Sequence, residues 1–155
     1  MDKELIPLKK EDRTILRKLL QLYYYDTSEF DGADLNKYGE YDYTWLDQYW
    51  TDENRWPYLF RVDGKVAGFA FVRFVEGTHF DMSEYFILRK YRNAGLGKYF
   101  ATELFRAHRG SWYVRVLQNN GPALAFWENV VGEYSSGSFK KNIWDSWEGV
   151  VYEFV

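Results

Sequence analysis

The chain has 155 residues, a formal net charge of −3, no cysteine, and a 21% aromatic content. That length suits one ordinary domain with a full core, and the absence of thiols excludes disulfides, thiolate metal sites and a cysteine nucleophile. The negative balance weighs against a general nucleic-acid binder. With no apolar run near the ~20 residues of a membrane span and no charged-then-apolar leader, a cytoplasmic protein without membrane contact is expected.

The segment ELIPL (4–8) is short, apolar and broken by Pro7, as a first or edge strand is. In KKEDRTILRKLLQLYYYD (9–26), Ile15, Leu16, Leu19, Leu20, Leu22 and Tyr23 recur at helical spacing. Glu11 and Asp12 stand at the N-terminal end, where the helix dipole favours acids. Residues 26–43 have no period and read as a loop with at most a short turn of helix; loops of that length are often functional. YTWLDQYW (43–50) puts Trp45, Leu46, Tyr49 and Trp50 on one face of a short second helix.

Two apolar runs joined by Asp63-Gly64 (56–75) predict a hairpin with a type I′ turn. EGTH (76–79) is a second turn, and FDMSEYFIL (80–88) is the next strand. A helix follows over about 95–108, with Leu96, Phe100 and Leu104 on one face and Gly110 just beyond its end. SWYVRVL (111–117) is a strand, parallel to its predecessor because a helix carries the crossover. Residues 119–131 predict a last helix, capped by Asn119 or Asn120 with Pro122 in its first turn. EYSSGSFK (133–140) and SWEGVVYEFV (146–155) close the chain as antiparallel strands. The result is a mixed α/β fold of order β-α-α-β-β-β-α-β-α-β-β, one domain over 1–155.

The junction RNAGLG (92–97) lies between a strand and a helix, where unpaired amides suit an anion. A dinucleotide fingerprint needs a third glycine where Phe100 stands, and a kinase-type phosphate loop needs Ser or Thr where Tyr99 stands. A tight turn that uses glycine for its backbone freedom is the plain alternative. The element order together with Arg92, Gly95 and Gly97 resembles the GNAT superfamily of acetyl-CoA-dependent N-acetyltransferases. Its signature is Gln or Arg, two residues, Gly, one residue, then Gly or Ala. Asn120, Ala123, Phe126 and Trp127 match a second family pattern on the last helix. The resemblance is specific from about residue 80 to 131.

The resemblance implies a sheet splayed between strands 4 and 5 after a bulge in strand 4. The pantetheine arm of acetyl-CoA would pair with the backbone of Phe86, Ile87 and Leu88. Amides of Arg92, Asn93, Ala94, Gly95, Leu96, Gly97 and Lys98 would cradle the pyrophosphate, and Asn120 would reach the pantetheine or order the loop. Acetyl transfer to an amine needs a base, and Glu84 on strand 4 is the first candidate, with Asp81 second. Family members often place a thiolate-protonating tyrosine where this chain has Trp127, so Tyr134 or solvent is expected to supply that proton. His79, in a turn, and His108, at a helix end, read as structural, and no spacing points to a metal.

The acceptor, a small-molecule or peptide amine, would sit under the loop after the first helix. There Glu29, Asp31, Asp34, Glu40 and Asp42, with Tyr24, Tyr25, Phe30, Tyr38 and Tyr41, suit a cation. Family members often form homodimers, for which exposed tryptophans would serve. A non-catalytic acyl-CoA-binding module is the alternative function, favoured by Trp127.

Overall fold

The computed structural model describes residues 1–155. The elements are β1 (Lys3–Pro7), α1 (Arg13–Asp31), α2 (Gln48–Thr51), β2 (Arg55–Val62), β3 (Lys65–Val75), β4 (His79–Ile87), α3 (Leu96–Ala107), β5 (Ser111–Leu117), α4 (Gly121–Tyr134), β6 (Phe139–Asn142) and β7 (Gly149–Phe154). The strands form one sheet in the order β1-β2-β3-β4-β5-β7-β6. Only β4 and β5 run parallel, because α3 carries the chain back between them. This is the expected mixed α/β order. The Asp63-Gly64 turn closes the β2–β3 hairpin with φ of 50° and 76°, both left-handed as a type I′ turn requires. No helix is long and apolar enough to cross a membrane.

Three boundaries differ from the sequence reading. Helix α1 continues through residues 26–31, which lack apolar period. Thr27 and Ser28 hydroxyls donate to the Tyr24 and Tyr25 carbonyls, so these polar residues are satisfied inside the helix. Gly32, at φ 72°, then ends it, its N–H bonded to the Ser28 carbonyl. Helix α2 is only four residues long. Leu46 and Tyr49 are buried as expected, but Trp45 is 52% exposed and lies outside the helix. Helix α4 reaches Tyr134, and β6 begins only at Phe139, after a turn in which Ser136 and Gly137 take left-handed φ. Of the seven tryptophans, Trp45 is exposed, Trp50, Trp56, Trp144 and Trp147 are partly buried, and Trp112 and Trp127 are buried.

Apolar side chains cover both sheet faces. Trp112, Phe60, Phe100, Phe105 and Tyr152 anchor the α3/α4 side, and Leu16, Leu20, Phe69 and Phe71 anchor the α1/α2 side. Strand β4 carries a bulge. Phe71 faces Glu84 while Val72 faces Met82, which leaves Ser83 as the extra residue. A bulge breaks the two-residue alternation, so Ser83 and Glu84 both fall on the α1 side. Past it the strands diverge: β4 pairs with β5 only through His79–Asp81 and Ser111–Tyr113. The splay is the cleft.

Strand β3 makes room for that edge at Gly68. A Cβ there would stand 2.0 Å from the backbone oxygen of Phe86, which cannot move without breaking the β3–β4 ladder. Gly68→Ala is expected to cost about 2–4 kcal/mol in urea unfolding, an overpacking penalty taken against backbone.

Candidate active site

A cleft of about 950 Å³ opens where β4 and β5 part, lined from α1, β4, β5, the start of α3 and α4. Its phosphate-like end is built by backbone. Asn93 and Gly95 take φ of 63° and 76°, turning the chain sharply into α3. The first i to i−4 bond of the helix runs from Tyr99 N–H to Gly95, and no side chain caps it. The amides of Asn93, Ala94, Gly95, Leu96, Gly97 and Lys98 therefore find no acceptor in the protein. Unpaired N–H groups at the positive end of a helix dipole fit a pyrophosphate.

The two glycines have different tasks. Around Gly95 nothing lies within 4 Å of a would-be Cβ, so that position is open to a ligand and needs glycine for its φ. At Gly97 a Cβ would meet the Phe126 ring at 2.8 Å, so glycine there lets α3 approach α4. The Gly97 carbonyl also accepts the Tyr85 hydroxyl.

Arg89, Arg92 and Lys98 beside this loop are held by protein carboxylates. Arg92 donates through Nε to the Ile87 carbonyl and through Nη2 to Asp26, each at 2.8 Å, and Arg89 reaches the same Asp26 at 2.8 Å. Burial works to raise the Asp26 pKa, but hydrogen bonds from Arg89 and Arg92 hold it below the usual carboxylate range. Lys98 pairs with Glu133 at 2.8 Å on an exposed rim. What Lys98 brings to the cleft is its amide. Asn120 lines the cleft and caps α4, its Oδ1 accepting from Ala123 N–H at 3.2 Å.

The strand contacts sort the expected backbone partners. Leu88 N–H donates to the Ala67 carbonyl at 2.8 Å, so it is already paired with β3. Antiparallel ladders alternate, so Phe86 also turns its peptide groups to β3, while Tyr85 and Ile87 turn theirs to the gap. Of Phe86, Ile87 and Leu88, only Ile87 offers backbone to the cleft, and Tyr85 joins it. The Ile87 carbonyl is engaged by Arg92, which leaves its N–H.

At the other end of the cleft stands Glu84, half-buried on the bulge and ringed by Tyr23, Tyr24, Tyr43 and Tyr49. Burial pushes its carboxyl up to about 7; the facing Tyr23 hydroxyl and the charges of Arg115 and Arg73 pull back, and Asp81 adds to the rise. Such a carboxyl exchanges protons near neutral pH, which a general base must do. Burial, reinforced by Glu84, raises Tyr23 and keeps its hydroxyl protonated. Asp81 is 2% exposed and tied to Arg73 and Arg115, so it orders the floor and does not meet a substrate.

Tyr134 is not brought to the site. It ends α4 and packs on Phe105 and Phe154, ring centres 5.0 and 6.0 Å away, on the far side of the sheet. The sequence reading placed it on a strand because the end of α4 was set too early. Trp127 does line the cleft, edge-on to Tyr85 at 4.9 Å. Tyr85 is the phenol beside it, but burial raises its pKa well above the ordinary value, which makes it a poor acid.

The expected acidic wall is shorter than the sequence implied. Glu29 and Asp31 line the cleft with Tyr24 and Phe30, because α1 continues across its mouth. Asn119 fastens that end of α1, donating to the Phe30 carbonyl at 2.7 Å. Glu40, Asp42 and Tyr41 line a separate small pocket, and Asp34, Tyr25 and Tyr38 line neither. His79 stacks on Tyr113 and bonds Glu153, while His108 bonds Tyr58, both outside the cleft. No group of three His, Asp or Glu side chains is placed to hold a metal ion.

Sequence reasoning missed Tyr23, Tyr85, Asp26, Arg73 and Arg115. Arg115 carried a readable signal, being the charged position in an otherwise alternating strand. The others depend on which elements meet.

Residues 16–132 match the model of the Acetyltransferase (GNAT) family. No curated protein sequence matches the chain. Solved structures of the same fold include the PaiA N-acetyltransferase of Thermoplasma acidophilum in complex with coenzyme A, 15% identical, with a TM-score of 0.70 over 99% of each chain. The ribosomal-protein-S18-alanine N-acetyltransferase of Escherichia coli is 12% identical, TM-score 0.65, over 99% of this chain and 93% of that one. AAC(6')-Iy, in complex with the bisubstrate analog CoA-S-monomethyl-acetylneamine, is 14% identical, TM-score 0.60, over 84% and 90%. At these identities the likeness speaks for the fold, and the family match over most of the chain speaks for the rest. The chain belongs to the GNAT family of acetyltransferases, enzymes that draw their acetyl group from acetyl-CoA.

Proposed function

We propose that the whole chain, 1–155, is one catalytic unit that acetylates a primary amine by direct attack in a ternary complex. One observation carries this reading: a single cleft joins the unpaired amides at the N-terminus of α3 to a carboxyl poised near neutrality on the β4 bulge. The amides of Asn93 to Lys98 bind the pyrophosphate, and the gap-facing backbone of Tyr85 and Ile87 aligns the pantetheine arm as a further strand would be aligned. Asn120 holds the start of α4 beside it. Bound acetyl-CoA supplies the electrophilic thioester.

Glu84 takes the proton of the incoming ammonium and passes it to solvent through the open mouth. The amine then forms its bond to the acetyl carbon as the carbon–sulfur bond breaks, and the second nitrogen proton passes to water. The leaving thiolate takes its proton from water, since no phenol with a usable pKa stands at Trp127. Glu29 and Asp31 favour an acceptor that arrives as a cation. A cysteine-free enzyme fed by acetyl-CoA suits the cytoplasm.

The test is amine-dependent release of the coenzyme A thiol from acetyl-CoA, read with a broad set of primary amines. Release above the no-amine rate by about a hundredfold or more with at least one amine is the expected result. Release at the no-amine rate with every amine sinks the proposal.

A further inference from the structure

The cleft also holds a guanidinium fork on the sheet face that carries Glu84. Trp112, Val114 and Val116 of β5 point into the α3/α4 core, so Tyr113, Arg115 and Leu117 fall on the face that carries Glu84. There two guanidinium groups share one buried carboxylate. Oδ2 of Asp81 accepts from Arg73 Nη2 at 2.7 Å, from Ser83 Oγ at 2.9 Å and from Arg115 Nη2 at 3.2 Å. Oδ1 of the same residue is buried and has no partner.

Arg73 is held twice, since its Nε also donates to Ser83 Oγ at 2.6 Å. Arg115 is held once, by the longest of these bonds. An arginine has five N–H groups, so most of its fork is unspent. Its orientation is set instead by an aromatic plate: the guanidinium carbon lies 5.0 Å from the Trp147 ring centre. That indole is itself anchored, its Nε1–H donating to the Val116 carbonyl at 3.2 Å. Arg115 and Trp147 line the cleft together with Glu84, and the Arg115 side chain is 30% exposed. A planar guanidinium, stacked, half-buried and with free N–H groups, is built to take a planar oxyanion two bonds at a time.

We propose that the acceptor carries a carboxylate as well as an amine: it is a free amino acid, its carboxylate forked on Arg115 and its amino group facing Glu84. This rests on the acetyl-transfer reading above. A zwitterion reconciles the two features of the cleft, since Glu29 and Asp31 attract its ammonium end while Arg115, with a single hydrogen bond to Asp81, has N–H groups left to take its carboxylate. Tyr24 and Phe30 offer an apolar wall to its side chain. Arg115 is thus the specificity-determining residue, Trp147 its platform, and Asp81 and Arg73 its positioning partners. In the transfer itself the nitrogen–carbon bond forms, the carbon–sulfur bond breaks, and the ammonium proton leaves through Glu84; the carboxylate is unchanged.

The experiment compares the twenty L-amino acids with their own carboxamides, and with spermidine and phenethylamine, at saturating acetyl-CoA. The wild type is expected to turn over at least one amino acid with a kcat/KM about ten- to a hundredfold above that of its carboxamide. In Arg115→Gln that ratio falls toward one, through KM for the acid, and Arg115→Lys keeps part of it as a point charge without a fork. A wild type that prefers carboxamides or simple amines overturns this inference and leaves acetyl transfer standing. Transfer to none of these amines overturns both.

Discussion

Glu84→Gln is expected to lower kcat for amine acetylation by about 10²–10⁴-fold while making the protein more heat-stable at pH 8. The two effects have one cause. Burial raises the Glu84 carboxyl from 4.5 to about 7, so ionising it in the folded protein is costly. The folded state binds this proton more tightly than the unfolded chain does. The cost is therefore absent below about pH 4.5, grows as pH rises, and is complete above about pH 7. Glutamine mimics the protonated form and never bears that cost.

The gain in Tm should be visible at pH 8 and vanish near pH 4.5. Its size is on the order of 1–2 kcal/mol, since the carboxyl keeps a face toward water, or about 2–8 °C for a chain of this length. The pH profile of the wild type is the second half of the test. A base must be ionised to accept a proton, so kcat/KM should rise with pH through an apparent pKa near 7, and this limb should be missing from the residual activity of the Gln variant. A Gln variant with wild-type rate, or a wild-type profile flat across neutrality, removes Glu84 from the mechanism.

Much of this is legible in the sequence alone, and the reasons are local. The turn at Asp63-Gly64, the glycines before α3 and the Asn120 cap are decided by backbone preferences a few residues long. Alternation in SWYVRVL set the faces of β5 without reference to any other element. What escaped reading depended on contacts across the chain. Helix α1 outruns its apolar period because Thr27 and Ser28 bond back to it, and only then do Glu29 and Asp31 reach the cleft. Tyr134 was misplaced by a few residues, enough to exchange a cleft for a core. Glu84 stood out as an acid in an apolar strand. Its raised pKa comes from burial, which the hydroxyl of Tyr23, sixty-one positions earlier, partly offsets, and its placement comes from a bulge that only the pairing of β3 with β4 shows.

The unpaired amides at the N-terminus of α3 give the second large effect. Gly95→Asp is expected to abolish acetyl-CoA binding, by about a hundredfold or more in calorimetric titration, with the fold retained. Gly95 is the N-cap of α3, a position where an aspartate side chain accepts from amides two and three residues on. The new carboxylate would thus occupy the amides that receive the pyrophosphate and would repel its charge. Space is not an obstacle, since nothing lies within 4 Å of a Cβ there. The left-handed φ of 76° costs about 1–2 kcal/mol for a side chain, a cost that Asp and Asn bear better than others and that the new cap partly offsets. Gly95→Asn separates the two causes, because it brings the same shape and strain and can cap, but adds no charge. It should lose less affinity than the Asp variant, and the gap between the two should narrow as salt is raised, because screening weakens repulsion and leaves steric occupancy alone. Equal loss in both variants would assign the effect to shape. Wild-type affinity in both would mean that the glycines make only a turn and that acetyl-CoA is held elsewhere in the cleft.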